Sequence, residues 1–209
     1  MAESDERPDF HRFRPHPWHG LDAGRQPPIF MNAYIEITPF DLVKYEVDKE
    51  TGYTMVDRPQ HTSSSPPTLY GFVPQTYCGD KVRALTPGAE MGDGDPLDIC
   101  VISERPINRS DVILRVKVIG GLQILDGGEA DDKIIAVLEK DTFWSHAESL
   151  NDIPQVLIQR MRHYFATYKM KTDLTSPIEI KEAYGPVHAA KVVEASLEDY
   201  QALWGHLQG

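Results

Sequence analysis

The sequence predicts an α+β fold, a barrel-like sheet followed by helices, on two observations. Between Ala33 and Leu138 the chain breaks into short extended runs parted by loops rich in Gly, Pro and Asp. From Ile153 onward the apolar residues change to a helical period. Many short strands and then helices, with no internal repeat, is the α+β pattern in which the sheet curls into a barrel.

Each element follows from local chemistry. Residues 1–30 are rich in Pro, Arg and His and lack periodicity, so an irregular arm wrapped on the domain is expected. His11, His16 and His19 lie in it at spacings that fit no helix face and no His-plus-carboxylate motif, so they read as packed or solvated side chains. Ala33–Ile37 is a short extended run. In Leu42–Val47, Val43, Tyr45 and Val47 alternate with Lys44 and Glu46, which places Lys44 and Glu46 together on a polar face. Lys49–Gly52 is a turn, and Tyr53–Asp57 returns as the hairpin partner. Leu69–Val73, Leu97–Ser103, Val112–Gly120 and Lys133–Leu138 are further strands. A helix begins near Ile153, with apolar residues at 157, 161, 164, 165 and 168 and Asn151 or Asp152 as N-cap. A second helix runs from about Pro186 to Leu207, with Val192, Val193, Tyr200, Leu203 and Trp204 on one face. The expected layout is one domain over 1–209: an arm to residue 30, a β-barrel core at 31–140 and helices at 150–209.

Composition narrows the function. A chain of 209 residues with 41% hydrophobic and 25% charged side chains can bury a core as a soluble domain. No apolar run approaches the roughly 20 residues of a membrane span. The opening MAESDERPDF is acidic and lacks an apolar stretch, so no secretory signal is expected. Cys78 and Cys100 suggest neither a disulfide framework nor a zinc knuckle, so a reducing cytoplasm is expected. A formal net charge of −11 disfavours nucleic-acid and anionic-membrane partners, which need a basic face.

The most informative segment is Gly92-Asp93-Gly94-Asp95-Pro96-Leu97-Asp98. Gly94 lets the backbone turn, and Pro96 forces Asp95 into an extended conformation. Carboxylates at this density suit hard cations such as Mg²⁺, Mn²⁺ or Ca²⁺. A solvated acidic turn is the alternative. It weakens because Asp98 opens an otherwise apolar strand, Ile99-Cys100-Val101, where a carboxylate needs a partner. An EF-hand counted from Asp93 puts Glu104 at position 12, but Leu97 falls at position 5 and Asp98 at position 6, where glycine is required. A second acidic stretch, Asp126-Gly127-Gly128-Glu129-Ala130-Asp131-Asp132-Lys133, precedes another apolar strand and could complete a multi-metal site.

These residues resemble the family I soluble inorganic pyrophosphatases. The resemblance runs from about Ala33 to Lys169. Asp93–Asp98 matches that family's D-G-D-P-x-D motif. Ile35-Glu36-Ile37 with Lys44-Tyr45-Glu46-Val47-Asp48 looks like its I-E-I…K-Y-E-x-D. Val56-Asp57-Arg58 is similar to its V-D-R, Tyr70-Gly71-Phe72 to its Y-G-[YF], Asp126 through Asp131 to Lys133 to its D-x4-D-x-K, and Tyr168-Lys169 to its Y-K pair. The resemblance implies a five-stranded OB-like barrel flanked by helices. It implies metal ligation by Asp93, Asp98, Asp126 and Asp131 with help from Glu36, and Asp95 as general base. Lys44, Arg58, Lys133, Tyr168 and Lys169 would hold phosphate, with Glu46 and Tyr70 lining the site. Mg²⁺ is the implied cofactor, Mn²⁺ a substitute and Ca²⁺ an inhibitor. Pyrophosphate is the implied substrate and a homo-oligomer the implied assembly. The chain departs from the pattern at Pro66, where the family carries a tyrosine, and in residues 76–92, a loop longer than in compact bacterial members.

Charge counting agrees with a metal requirement. The seven carboxylates Glu36, Glu46, Asp93, Asp95, Asp98, Asp126 and Asp131 face only four cations, Lys44, Arg58, Lys133 and Lys169. A polyanion would be repelled unless divalent cations reversed that balance. Bland readings stand beside these roles. Lys44 with Glu46 reads equally as an exposed strand ion pair, worth at most about 1 kcal/mol. Tyr168 reads as core, and Lys169 as favourable charge at a helix C-terminus. Competing functions are another metal phosphohydrolase, disfavoured by the lack of a Gly-rich nucleotide cradle, and a nucleic-acid-binding OB module, disfavoured by charge.

Overall fold

The computed structural model describes residues 14–208. Ten strands and three α-helices follow in order: β1 (Phe30–Ile37), β2 (Val43–Val47), β3 (Thr54–Pro59), β4 (Leu69–Phe72), α1 (Asp80–Arg83), β5 (Met91–Gly92), β6 (Asp98–Ile102), β7 (Val112–Asp126), β8 (Glu129–Ala130), β9 (Lys133–Leu138), α2 (Gln155–Thr167), β10 (Ile178–Tyr184) and α3 (Pro186–Trp204). Pairing runs β1–β4–β6–β9–β7, and β7 pairs back onto β1. Five strands therefore close a ring, which removes the sheet edges. β6 and β9 run parallel, and the other ring pairs are antiparallel. β10 and the short β8 attach to the far half of β7, and β2 with β3 form a separate hairpin.

Alternation along the ring strands feeds two apolar clusters. Ile99 and Val101 of β6 join Ile134 and Ala136 of β9 in a cluster that draws on all five ring strands and on Ala189, Val192 and Val193 of α3. Cys100 and Ile102, with Ile135 and Val137, turn the other way, against Ile158, Met161 and Phe165 of α2. The two-residue period of a strand sends alternate side chains to opposite faces, so each helix is held by one set.

Four expectations need correction. β7 does not stop at Gly120 but continues to Asp126, with a bulge between Val118 and Gly120. The segment beyond residue 150 contains a strand, β10, whose alternation is interrupted by a bulge between Ile180 and Glu182. Only Ile178–Ile180 keeps a strict two-residue period, too short a run to stand out. Neither Asn151 nor Asp152 caps α2. Asp152 closes a capping box with Ser149 on a preceding 3₁₀ turn, and Pro154 stands at the α2 boundary. Leu203 is 47% exposed, while Val192, Val193 and Tyr200 on the same helix are buried.

The arm is packed over the part described, and His11 lies outside the described residues. Trp18 is buried, its indole N–H donates to the Thr76 carbonyl at 2.8 Å, and its ring stacks on His19. His19 in turn meets the Tyr200 hydroxyl at 2.8 Å. His19 is thus a packing residue that fastens the arm to α3, and His16 packs beside it, its Nδ1 accepting the Trp18 backbone N–H at 3.2 Å. Cys78 and Cys100 are buried free thiols. No helix among the described residues is long and apolar enough to cross a membrane.

Candidate active site

A cavity of about 620 Å³ opens where the second apolar cluster meets solvent, at the strand ends that carry the acidic motifs. Its lining includes Glu36, Lys44, Glu46, Tyr70, Asp93, Asp95, Asp98, Asp126, Asp131, Lys133, Tyr168 and Lys169. Every residue singled out from the sequence lies there except Arg58. Arg58 is directly opposite Lys44 in the β2–β3 hairpin and pairs with Asp57, one residue behind the wall. Pro66 is buried away from this cavity, beside α2.

Sheet register builds the centre. Asp98 of β6 is the direct partner of Lys133 of β9, and Phe72 of β4 is the partner of Asp98. The Lys133 ammonium donates to both Asp98 and Asp131 and lies 5.9 Å from the Tyr70 ring centre and 5.8 Å from that of Phe165. It is 1% exposed, a buried cation that needs its carboxylates as much as they need it. The Tyr70 hydroxyl donates to Asp98 Oδ2 at 2.6 Å. Asp98 thus has the partners that a carboxylate at the head of an apolar strand requires.

Asp93, Asp98 and Asp131 each bring a carboxylate oxygen within 4.8 Å of the others. Crowding of this kind perturbs protonation. Burial, with the nearby Asp131 charge, holds the Asp93 carboxyl well above its usual range. Burial also raises Asp131, but Lys133 and a hydrogen bond from Asp93 outweigh it and keep Asp131 below its usual range. Burial likewise raises Asp98 and pushes Glu36, whose oxygen accepts the Val47 N–H at 2.6 Å, up to about 8. Asp93, Asp98 and Glu36 are short of positive charge, and Lys133 alone does not relieve them. An array of hard oxygen donors strained in this way is chemically suited to divalent cations of the Mg²⁺ or Mn²⁺ kind.

The remaining groups stand around this centre. Asp95 is half exposed and ion-paired with Lys49, and its backbone N–H donates to Asp93 Oδ1 at 3.0 Å. Gly94 between them has φ +73°, a conformation that costs glycine nothing and other residues strain. α2 ends at Thr167, which delivers Tyr168 and Lys169 to the cavity. Lys169 pairs with Asp126. Lys44 donates to Glu46 and to Asp57, both at 2.8 Å. Several lining residues were not foreseen, Lys49 and Trp18 among them. Lys49 was hidden in turn chemistry, although its place next to Asp48 in the K-Y-E-x-D run was a usable signal. Trp18 comes from the aperiodic arm and carried no signal at all.

Comparison with known proteins agrees with this geometry. A family model described as inorganic pyrophosphatase matches residues 33–201. An inorganic pyrophosphatase of Chlamydia muridarum is 46% identical over 196 residues, covering 88% of this chain and 93% of that protein. Soluble inorganic pyrophosphatase 5 of Arabidopsis thaliana is 35% identical over 185 residues, covering 88% and 78%. Among solved structures, type I inorganic pyrophosphatase from Toxoplasma gondii superposes with a TM-score of 0.80 at 28% identity, covering 91% of this chain and 89% of that one. The enzyme from Thermus thermophilus gives 0.76 at 28% identity, covering 89% and 99%. The ring of five strands, the acidic turn at its mouth and a match spanning nearly the whole described chain lead to one conclusion: this protein belongs to the soluble inorganic pyrophosphatases, a family of hydrolases.

Proposed function

We propose that this chain hydrolyses inorganic pyrophosphate to two orthophosphates, with Mg²⁺ as cofactor and Asp95 as general base. Family membership supports the substrate and the reaction class. The observation that carries the finer reading is the convergence of Asp93, Asp98 and Asp131 within 4.8 Å, beside a half-exposed Asp95. Asp93, Asp98 and Asp131 would hold the cation, with Asp126 and Glu36 completing the donor set. When bound, Mg²⁺ would offset the surplus negative charge and make water acidic enough to attack at neutral pH.

The protein's own groups do the rest. Asp95 is the carboxylate of the cluster with access to solvent, so it is suited to orient the attacking water and take its proton. Lys44 and Lys169 already bind carboxylate oxygens of the cavity and can exchange them for phosphate oxygens, while Lys133 would meet phosphate from its fixed place between Asp98 and Asp131. Tyr168 is kept protonated by burial and remains a hydrogen-bond donor to the leaving phosphate. Arg58 would act from behind the hairpin wall by swinging away from Asp57. Displacement at phosphorus is mainly positioning and electrostatics, which this inventory supplies.

Phosphate release from pyrophosphate, with Mg²⁺ and then with chelator, tests the activity. Rapid release abolished by chelator is expected, and no release from folded protein with either Mg²⁺ or Mn²⁺ overturns the reading. Asp95→Asn is expected to keep the fold and Mg²⁺ affinity and lose about 10²- to 10⁴-fold in kcat. Near-normal turnover would remove Asp95 as base. Ca²⁺, larger and looser in geometry, is expected to inhibit, and equal turnover with Ca²⁺ and Mg²⁺ would contradict the metal assignment. The homo-oligomer implied by family resemblance is part of the same proposal, and the mass in solution checks it. The buried free thiols support a cytoplasmic setting.

A further inference from the structure

We propose that Asp199, on the C-terminal helix and outside the cavity, is a positioning residue for the carboxylate cluster. The inference rests on the functional reading above. Asp199 is 7% exposed and has no cation on its carboxylate among the described ion pairs. It takes backbone N–H groups instead. Gly79 donates to Oδ2 at 3.0 Å, Lys81 to both oxygens at 3.2 and 3.0 Å, and Val82 to Oδ2 at 3.1 Å. One turn earlier on the same helix, the Ser196 carbonyl accepts the Tyr77 N–H at 2.9 Å. The segment from Tyr77 to Val82 is therefore held to α3 by its backbone, through a buried charge that has no other bonding among the described residues.

The same segment is the bed of the acidic turn. The Cys78 N–H donates to the Asp95 carbonyl at 2.8 Å, and the Gly94 N–H donates to the Cys78 carbonyl at 3.1 Å. The Leu97 N–H donates to the buried Thr76 hydroxyl at 2.9 Å. Gly92 lies so close that a Cβ there would stand 2.1 Å from the Cys78 carbonyl oxygen. Asp93, Asp95 and Asp98 thus sit on a turn whose backbone is bonded to residues 76–78, and Asp199 bonds the next residues of that strip to the helix. Without the carboxylate, three N–H groups lose their acceptor, and the strip and the ligands above it lose their anchor.

Binding of Mn²⁺ by calorimetry, alongside the Mg²⁺ dependence of pyrophosphate hydrolysis, tests this. In Asp199→Ala, Mn²⁺ binding is expected to weaken about tenfold and the half-saturating Mg²⁺ to rise in step. Asp199→Asn keeps one acceptor oxygen and is expected to weaken binding about threefold. Glu198→Gln, which breaks only the exposed pair with Lys81, is expected to change neither. Folding is checked by circular dichroism, and if Asp199→Ala does not fold, Asp199→Asn decides. Wild-type Mn²⁺ affinity in whichever of the two folds overturns the proposal. Should the unaltered chain bind Mn²⁺ yet not hydrolyse pyrophosphate, the functional reading fails, and the calorimetric comparison still decides the role of Asp199.

Discussion

Two groups of charges each bring a lysine to the cavity, and they are built differently. On the ring, Lys133 is 2% exposed at its side chain, with Asp131 at 8% and Asp98 at 19%. On the hairpin, Lys44 is 24% exposed with Asp57 at 23% and Glu46 at 44%. Both are lysines between two carboxylates. The ring group was removed from water by folding, so its stability depends on every member being present. The hairpin group keeps water on one side, so each bond is cheap to break and the lysine is free to leave for a phosphate. Under the proposed function, the ring group would hold the cation site still and the hairpin group would let the substrate contacts adapt.

That contrast is open to direct attack. Lys133→Met should show the largest effect, since it strands buried carboxylates: about 3–5 kcal/mol of stability in chelator, read from urea unfolding. Mg²⁺ should recover part of it, and a loss below about 1 kcal/mol would place this lysine in the same class as Lys44. Tyr70→Phe removes the hydroxyl that Asp98 accepts from and should cost about 1.5–3 kcal/mol, with the backbone unchanged. Lys44→Met should cost under about 1 kcal/mol in the same assay and raise KM for pyrophosphate. An equal stability loss in Lys44→Met and Lys133→Met would erase the distinction.

The smallest effect concerns pH. Burial raises the Asp57 carboxyl, but the hydrogen bond from Lys44 and the neighbouring positive charges outweigh it and hold it below the usual 3.8. A carboxyl lowered in the folded state stabilises above its unfolded value, and that share is lost as pH falls through the folded value. The acid limb of the stability curve should therefore flatten slightly below pH 3.8 in Lys44→Met. An unchanged limb would mean that the pair does not hold in solution.

Much of the fold was legible because its elements are local. Lys133–Leu138 occupies the predicted residues, and Asp98 does open its strand. What escaped was non-local or irregular. β10 is a strand because β7 runs on past Gly120 and offers it an edge, which no window of sequence reveals. The failed N-cap at Asn151 or Asp152 has the same origin, since Asp152 turned back to Ser149 and served the preceding turn. In the site, the acidic motifs were legible by their density, whereas Lys49 and Trp18 enter only through the way loop and arm fold over the cavity.

The sequence by itself determined the alternation that makes the strands, the helical stripe of α2, and the cluster of carboxylates whose mutual repulsion calls for cations. Those follow from side-chain period and charge, which are local properties. The tertiary structure alone decided which lysine was buried against which aspartate, that Arg58 stands one residue behind the wall, and that Asp199 reaches residues 79–82 from 117 to 120 positions away. Register and burial depend on which strands and helices meet, and a lysine that is worth little in water becomes indispensable once folding has taken the water away.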